Sequence, residues 1–113
     1  MALTSILANV SCSDLERSTA WYAAIFERQP DEDPMDGLME WYVGKAGFQL
    51  YRGPDNAGRC TVTIVVDDVR QQHQRMSEAG FEPGEIQQAN YTTVFQMRDP
   101  DGNLVVLAQP GKV

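Results

Sequence analysis

Sliding the sequence by 54 residues lays one half on the other: Val10 falls on Ile64, Asp14 on Asp68, Leu15 on Val69 and Tyr22 on Met76. A fixed-period repeat restricts a chain to architectures made from copies of one supersecondary unit. The unit itself can be read in the first half. ILANVSC places Ile6, Ala8, Val10 and Cys12 on one face of a strand. Ser13 followed by Glu16 has the capping-box spacing, which predicts a helix with Ser13 as N-cap. Leu15, Thr19, Tyr22 and Phe26 then form one apolar stripe, and the helix must end before Pro30.

The second half repeats the order. Val62, Ile64 and Val66 alternate, Asp67 reads as N-cap, Val69, His73 and Met76 share a helix stripe, and Gly80 stops it. MEWYVGKAGFQLYRG and YTTVFQMRDPDGNLVVLAQ each read as two strands joined by a glycine-containing turn. In the latter, Pro100 fixes φ, Gly102 tolerates positive φ, and the aspartates can bond nearby amides. A short, weakly marked strand is expected before each hairpin, near Glu27 to Asp31 and near Pro83 to Gln87. The predicted class is α+β: two βαβββ modules within one domain, about 4–53 and about 59–109, with RGPDNAGR as a turn-rich linker lacking other content.

Size and charge narrow the function classes. A chain of 113 residues with 22% charged and 42% apolar content can bury a core of its own. Nine basic against sixteen acidic residues, with no basic cluster, argue against nucleic-acid binding. No apolar run approaches the ~20 residues of a membrane helix, and MALTSILANVS lacks the basic start of a signal peptide. Cys12 and Cys60 have no metal or redox spacing and read as small hydrophobes of a reduced, cytoplasmic protein.

Three segments carry a family resemblance: VSCSDLERSTAWYAAIF (10–26), IVVDDV (64–69) and RDPDGNLVVL (98–107). With the double βαβββ order, the chain resembles the glyoxalase, bleomycin-resistance and extradiol-dioxygenase superfamily, the vicinal oxygen chelate proteins. The resemblance implies a curved half-barrel sheet from each module with the helices outside. It also implies a homodimer, with the barrel completed within one chain or between two.

In the family's metalloenzymes, the first and last strands of each module supply nitrogen or oxygen ligands to a divalent ion. Carried over one at a time, these positions fall on Leu7, Gln49, Thr61 and Val106. Only Gln49 is an ordinary ligand type, so no metal and no other cofactor is expected. Val106 answers why the strand after DPDGN is wholly apolar: the family's carboxylate is missing from it. His73, the only histidine, reads either as a general base or as a half-buried helix-face residue, and the outer position of its helix favours the latter.

Strand alternation then gives a ligand-binding lining of Leu7, Gln49, Tyr51, Thr61, Thr63 and Val106, with Trp41 or Tyr42 as an aromatic wall. Asn9, Leu104 and Ala108 fall on the same faces. The aromatics serve equally well as core or interface fillers. The acidic stretch Asp31, Glu32, Asp33, Asp36 and Glu40 reads as a solvated loop, or else as a rim for a cationic ligand.

The function expected is metal-free binding of a small, planar or aromatic molecule, such as antibiotic or metabolite sequestration. Neither nucleic acid nor membrane is a partner in this reading. The alternative is a metal-dependent lyase, isomerase or dioxygenase with an atypical site around Gln49. A purely scaffolding dimer is the third reading.

Overall fold

In a computed structural model, which describes residues 2–111, the repeat resolves into two four-stranded sheets with one helix each. The elements of the first half are β1 (Ile6–Cys12), α1 (Leu15–Phe26), β2 (Glu32–Met35), β3 (Leu38–Val43) and β4 (Ala46–Arg52). Those of the second are β5 (Thr61–Val65), α2 (Val69–Glu78), β6 (Gln87–Gln88), β7 (Thr92–Arg98) and β8 (Leu104–Pro110). The strand orders are β1-β4-β3-β2 and β5-β8-β7-β6, with the first pair of each parallel and the rest antiparallel. The βαβββ reading therefore holds for both halves.

Two compact units divide the chain. One takes the chain up to Cys60 together with Asp99–Asn103; the other takes Thr61–Arg98 together with the chain from Leu104 onward. The DPDGN turn, read as part of module two, thus belongs to the unit built from module one.

In the first unit, the face of the sheet toward α1 carries Val10, Cys12, Trp41, Phe48 and Leu50, all buried. Tyr22 and Phe26 project from α1 into this layer, with ring centroids 4.7 Å (Tyr22–Phe48) and 5.4 Å (Phe26–Trp41) apart. Four large rings thus pack in one layer, in the tilted and offset arrangements aromatic pairs favour. In the second unit, Val62, Phe95, Met97, Val105 and Leu107 form the corresponding layer, with Val69 and Met76 of α2 buried.

Both helix starts sit one residue later than the sequence suggests. Asp14, not Ser13, caps α1, accepting from Arg17 N at 3.1 Å, and Asp68, not Asp67, caps α2, accepting from Gln71 N at 3.1 Å. Ser13 is engaged elsewhere: its hydroxyl donates to Asp101 Oδ1. The minor strands also lie further along than expected. Glu27 takes a left-handed conformation (φ 59°) as the C-cap of α1, so β2 cannot start until the chain has turned past Pro30. Gly84 donates to Gln96 O and the strand proper begins only at Gln87.

Nor is the segment 52–59 an empty linker. Asn56 donates toward Ser11 Oγ and Cys60 Sγ, both at 3.4 Å. Gly58, at φ 86°, lies so near the DPDGN turn that a Cβ there would stand 2.7 Å from Asp101 O.

Candidate functional site

The β3–β4 hairpin fixes the site. Its two-residue loop, with Gly44 at φ 58°, pairs Val43 with Ala46, so Glu40 lies opposite Gln49 and Tyr42 opposite Gly47. Parallel pairing of β1 with β4 sets Asn9 beside Gln49 and Leu7 beside Gly47. Alternation sends Leu7, Asn9, Glu40, Tyr42, Gln49 and Tyr51 to the face away from α1. Leu7 lies over Gly47, where a Cβ would come within 3.0 Å of its side chain.

Across this face runs one hydrogen-bonded row. Asn9 Nδ2 donates to Gln49 Oε1 at 3.2 Å, Gln49 Nε2 donates to Glu40 Oε2 at 2.6 Å, and the Tyr42 hydroxyl donates to Glu40 Oε1 at 2.7 Å. A carboxylate can only accept, which obliges Gln49 to turn its nitrogen toward Glu40 and its oxygen toward Asn9. Glu40 is only 8% exposed. The bonds from Gln49 and then Tyr42 hold its carboxyl below the ordinary value, against the opposing effect of desolvation. The same carboxylate raises Tyr42 to about 12, with burial and the charges of Glu32 and Asp31 adding to it.

The row forms part of a concavity of about 550 Å³, lined by Leu7, Glu40, Tyr42 and Gln49 together with Thr4, Ser5 and the hairpin loop at Lys45. Hydrocarbon from Leu7 and an aromatic ring from Tyr42 thus flank an ionised acceptor. Such a mixture of apolar wall and few fixed polar groups is what small-molecule sites require.

Of the residues expected to bind ligand, Leu7, Tyr42 and Gln49 come together here, and Tyr51 stands further along the same face. Trp41 does not. It is fully buried on the opposite face, and its indole nitrogen donates to Arg28 O at 3.0 Å. The choice between Trp41 and Tyr42 falls to Tyr42 because α1 places Phe26 on the Trp41 side. Thr61, Thr63 and Val106 occupy the face of the second sheet away from its buried layer, with Thr63 paired to Val106.

Glu40 was the residue sequence reasoning misplaced, grouping it with the acidic loop. Those acids have separate environments. Asp31 pairs with Arg28 at 3.1 Å and Asp36 with Arg52 at 3.2 Å, while Glu32 and Asp33 lie exposed on β2. The hairpin phase that put Gln49 on this face also puts Glu40 there, and was the signal available.

His73 is half-buried on α2, its Nε2 2.9 Å from Gly84 O and its ring edge-on to Phe95. These contacts tie the helix to the second sheet, as the helix-face reading expects.

The family's metal does not fit this donor set. Leu7 and Gln49 mark its positions on the first sheet, Thr61 and Val106 on the second. Hydrocarbon cannot ligate, and the carboxamide of Gln49 is bonded at both ends. Among the described residues, no three His, Cys, Asp or Glu side chains gather as a metal group.

The sequence profile of the glyoxalase-like domain matches residues 7–108, and the chain belongs to that family. Solved structures share the fold. A glyoxalase/bleomycin resistance protein from Catenulispora acidiphila superposes with a TM-score of 0.84 at 23% identity, over 95% of this chain and 98% of that one. An antibiotic-binding protein from Streptomyces sp. CB03234 gives 0.82 at 21% identity, over 98% and 99%. A lactoylglutathione lyase from Agrobacterium tumefaciens gives 0.78 at 17% identity, over 92% and 91%. No curated protein sequence matches the chain. No described helix is long and apolar enough to cross a membrane.

Proposed function

We propose that this chain is a metal-independent binding protein that sequesters a small, flat or aromatic molecule on the exposed face of its first sheet, working as a cytoplasmic homodimer. The observation that carries this is the concavity built on Leu7, Glu40, Tyr42 and Gln49, where hydrocarbon stands at a position that the family's enzymes give to a ligand. Sequestration requires affinity alone, without preferential stabilisation of a transition state, so a donor set of Leu, Gln, Thr and Val suffices for it. Likeness to an antibiotic-binding protein supports the same reading at the level of fold.

Two measurements test it. Elemental analysis of protein purified without chelator should give far less than one divalent ion per chain. A thermal-shift screen of planar and aromatic compounds should find stabilising ligands, since a ligand at a hundredfold excess over Kd adds about 2.7 kcal/mol. A stoichiometric metal, with metal-stimulated turnover of a hemithioacetal or catechol, would establish the enzymatic reading instead.

A further inference from the structure

The Glu40 carboxylate is where the concavity shows selectivity. It is 8% exposed, lies in the middle of β3, and is flanked by Leu7, Tyr42 and Gln49. Burying an ionised group calls for compensation, and ordinarily a cation provides it. Here two hydrogen-bond donors do so, one on each oxygen: the Tyr42 hydroxyl and the Gln49 amide. The ion pairs Arg28–Asp31 and Arg52–Asp36 leave Glu40 out. Lys45 lines the concavity from the hairpin loop without an ion pair to this carboxylate. Glu32, directly opposite Glu40 on β2, adds a second negative charge rather than relieving the first.

A carboxylate offers about four acceptor positions, and neutral protein donors fill two. The polarity of the row matters as well. Gln49 must point its nitrogen at Glu40, its oxygen therefore receives Asn9 Nδ2, and the Asn9 oxygen is left at the end of the row. What the row still presents is therefore weighted toward acceptors, beside an apolar side chain and a phenol ring.

We infer that the concavity is selective for a flat organic cation, one that carries an amidinium, guanidinium or protonated amine head to Glu40 and lays its apolar body against Leu7 and Tyr42. This rests on the reading of the concavity as a ligand site and adds the chemical class of what it takes. A planar amidinium can donate two parallel N–H bonds into the carboxylate's free positions, whereas an uncharged amide of the same shape offers one donor group and an acceptor that meets like polarity.

The test uses 2-naphthamidine and its neutral isostere 2-naphthamide as probes, followed by amide chemical-shift titration of the full chain at 50 and 500 mM salt. Naphthamidine should shift Leu7, Glu40, Tyr42 and Gln49 and bind about tenfold or more tighter than naphthamide. Glu40→Gln, which keeps an acceptor for Tyr42, should bring the amidine down to about the amide's affinity. Glu32→Gln, an equal change in net charge, should alter amidine binding less than about threefold.

Equal binding of both probes at this face, unaffected by Glu40→Gln, would overturn the cation selectivity while leaving the ligand site standing. Equal losses in Glu32→Gln and Glu40→Gln would assign the attraction to the general field and overturn the contact with Glu40. Absence of any shift at these residues with either probe would overturn the site itself and the inference with it. The comparison between probes on the unaltered chain stands even if a variant folds poorly.

Discussion

Tyr22 donates its phenolic hydrogen to Asp99 across 2.7 Å, and both residues are buried. They are 77 positions apart, one on α1 and the other opening the DPDGN turn. Asp99 is the hub of that turn. Its Oδ1 accepts from the amides of Asp101 and Asn103, and its Oδ2 accepts from Tyr22 and from Asn103 Nδ2. Asn103 in turn donates to Ser11 O and accepts from Cys60 N, both at 2.9 Å. The turn signature is thus a buried polar network that fastens helix, strand and connection within one unit, and burial pushes the Tyr22 hydroxyl far above its usual range, with Asp99 adding to the effect.

Removing the Tyr22 hydroxyl should therefore cost stability out of proportion to one atom. Tyr22→Phe leaves Asp99 one donor short in a buried place, with an expected loss of about 1–3 kcal/mol. Asp99→Ala strands the tyrosine hydroxyl and the turn amides together and should cost more. A double-mutant cycle by urea denaturation checks the coupling; additive single effects would mean the pair is not energetically linked.

Gly58 should prove as sensitive as the turn it touches. Its φ of 86° disfavours any side chain, and an added Cβ would collide with Asp101 O at 2.7 Å. Gly58→Ala combines backbone strain with displacement of a main-chain atom, for an expected loss of about 1–3 kcal/mol. Gly44, in the β3–β4 hairpin loop and also at positive φ but with open space around it, should lose less on the same substitution, because only the strain remains. Thermal melts of the two variants provide the comparison.

The adjacent aromatics of β3 should separate sharply. Trp41 is fully buried among Phe26 and Phe48, whereas Tyr42 is 44% exposed on the other face. Trp41→Ala should cost about 3–5 kcal/mol, the range for losing a large ring from a packed layer. Tyr42→Ala should cost well under that, and instead change ligand binding. Similar losses at both positions would contradict the assigned faces.

This pair also marks what could be read from the sequence. The repeat, the alternating strands and the DPDGN turn are local or periodic signals, and the double βαβββ order follows from them. Alternation, however, gives only the relative phase of a strand. Whether Trp41 or Tyr42 turned inward depended on Phe26 of α1, a tertiary fact. The helix caps slipped for a related reason. Ser13 and Asp14 both suit an N-cap, and Ser13 is drawn away by Asp101, 88 positions on. Glu40 was missed because it follows a run of acids, and composition suggested a loop where the hairpin register demanded a strand. β2 and β6 carry two to four residues each, too few for any period to show.

The Glu40–Tyr42 bond should leave a signature at both ends of the pH scale. Tyr42 is raised to about 12, above the usual 10, chiefly by its bond to Glu40. A group raised on folding contributes stability that is complete below its unfolded value and is lost as pH climbs through the folded one. Glu40 is lowered, so its contribution is present above the ordinary carboxyl value of 4.5 and is lost as pH falls through the depressed value. Tyr42→Phe should delete a phenolate transition near pH 12 from the absorbance at 295 nm, and it should flatten the alkaline decline in stability. Glu40→Gln should flatten the acid limb as well and move the Tyr42 transition back toward 10, because the charged acceptor that its hydroxyl bonds is replaced by a neutral one. If the Tyr42 transition stayed near 12 in Glu40→Gln, the two side chains would not be joined in solution, and the row that shapes the concavity would lose its anchor.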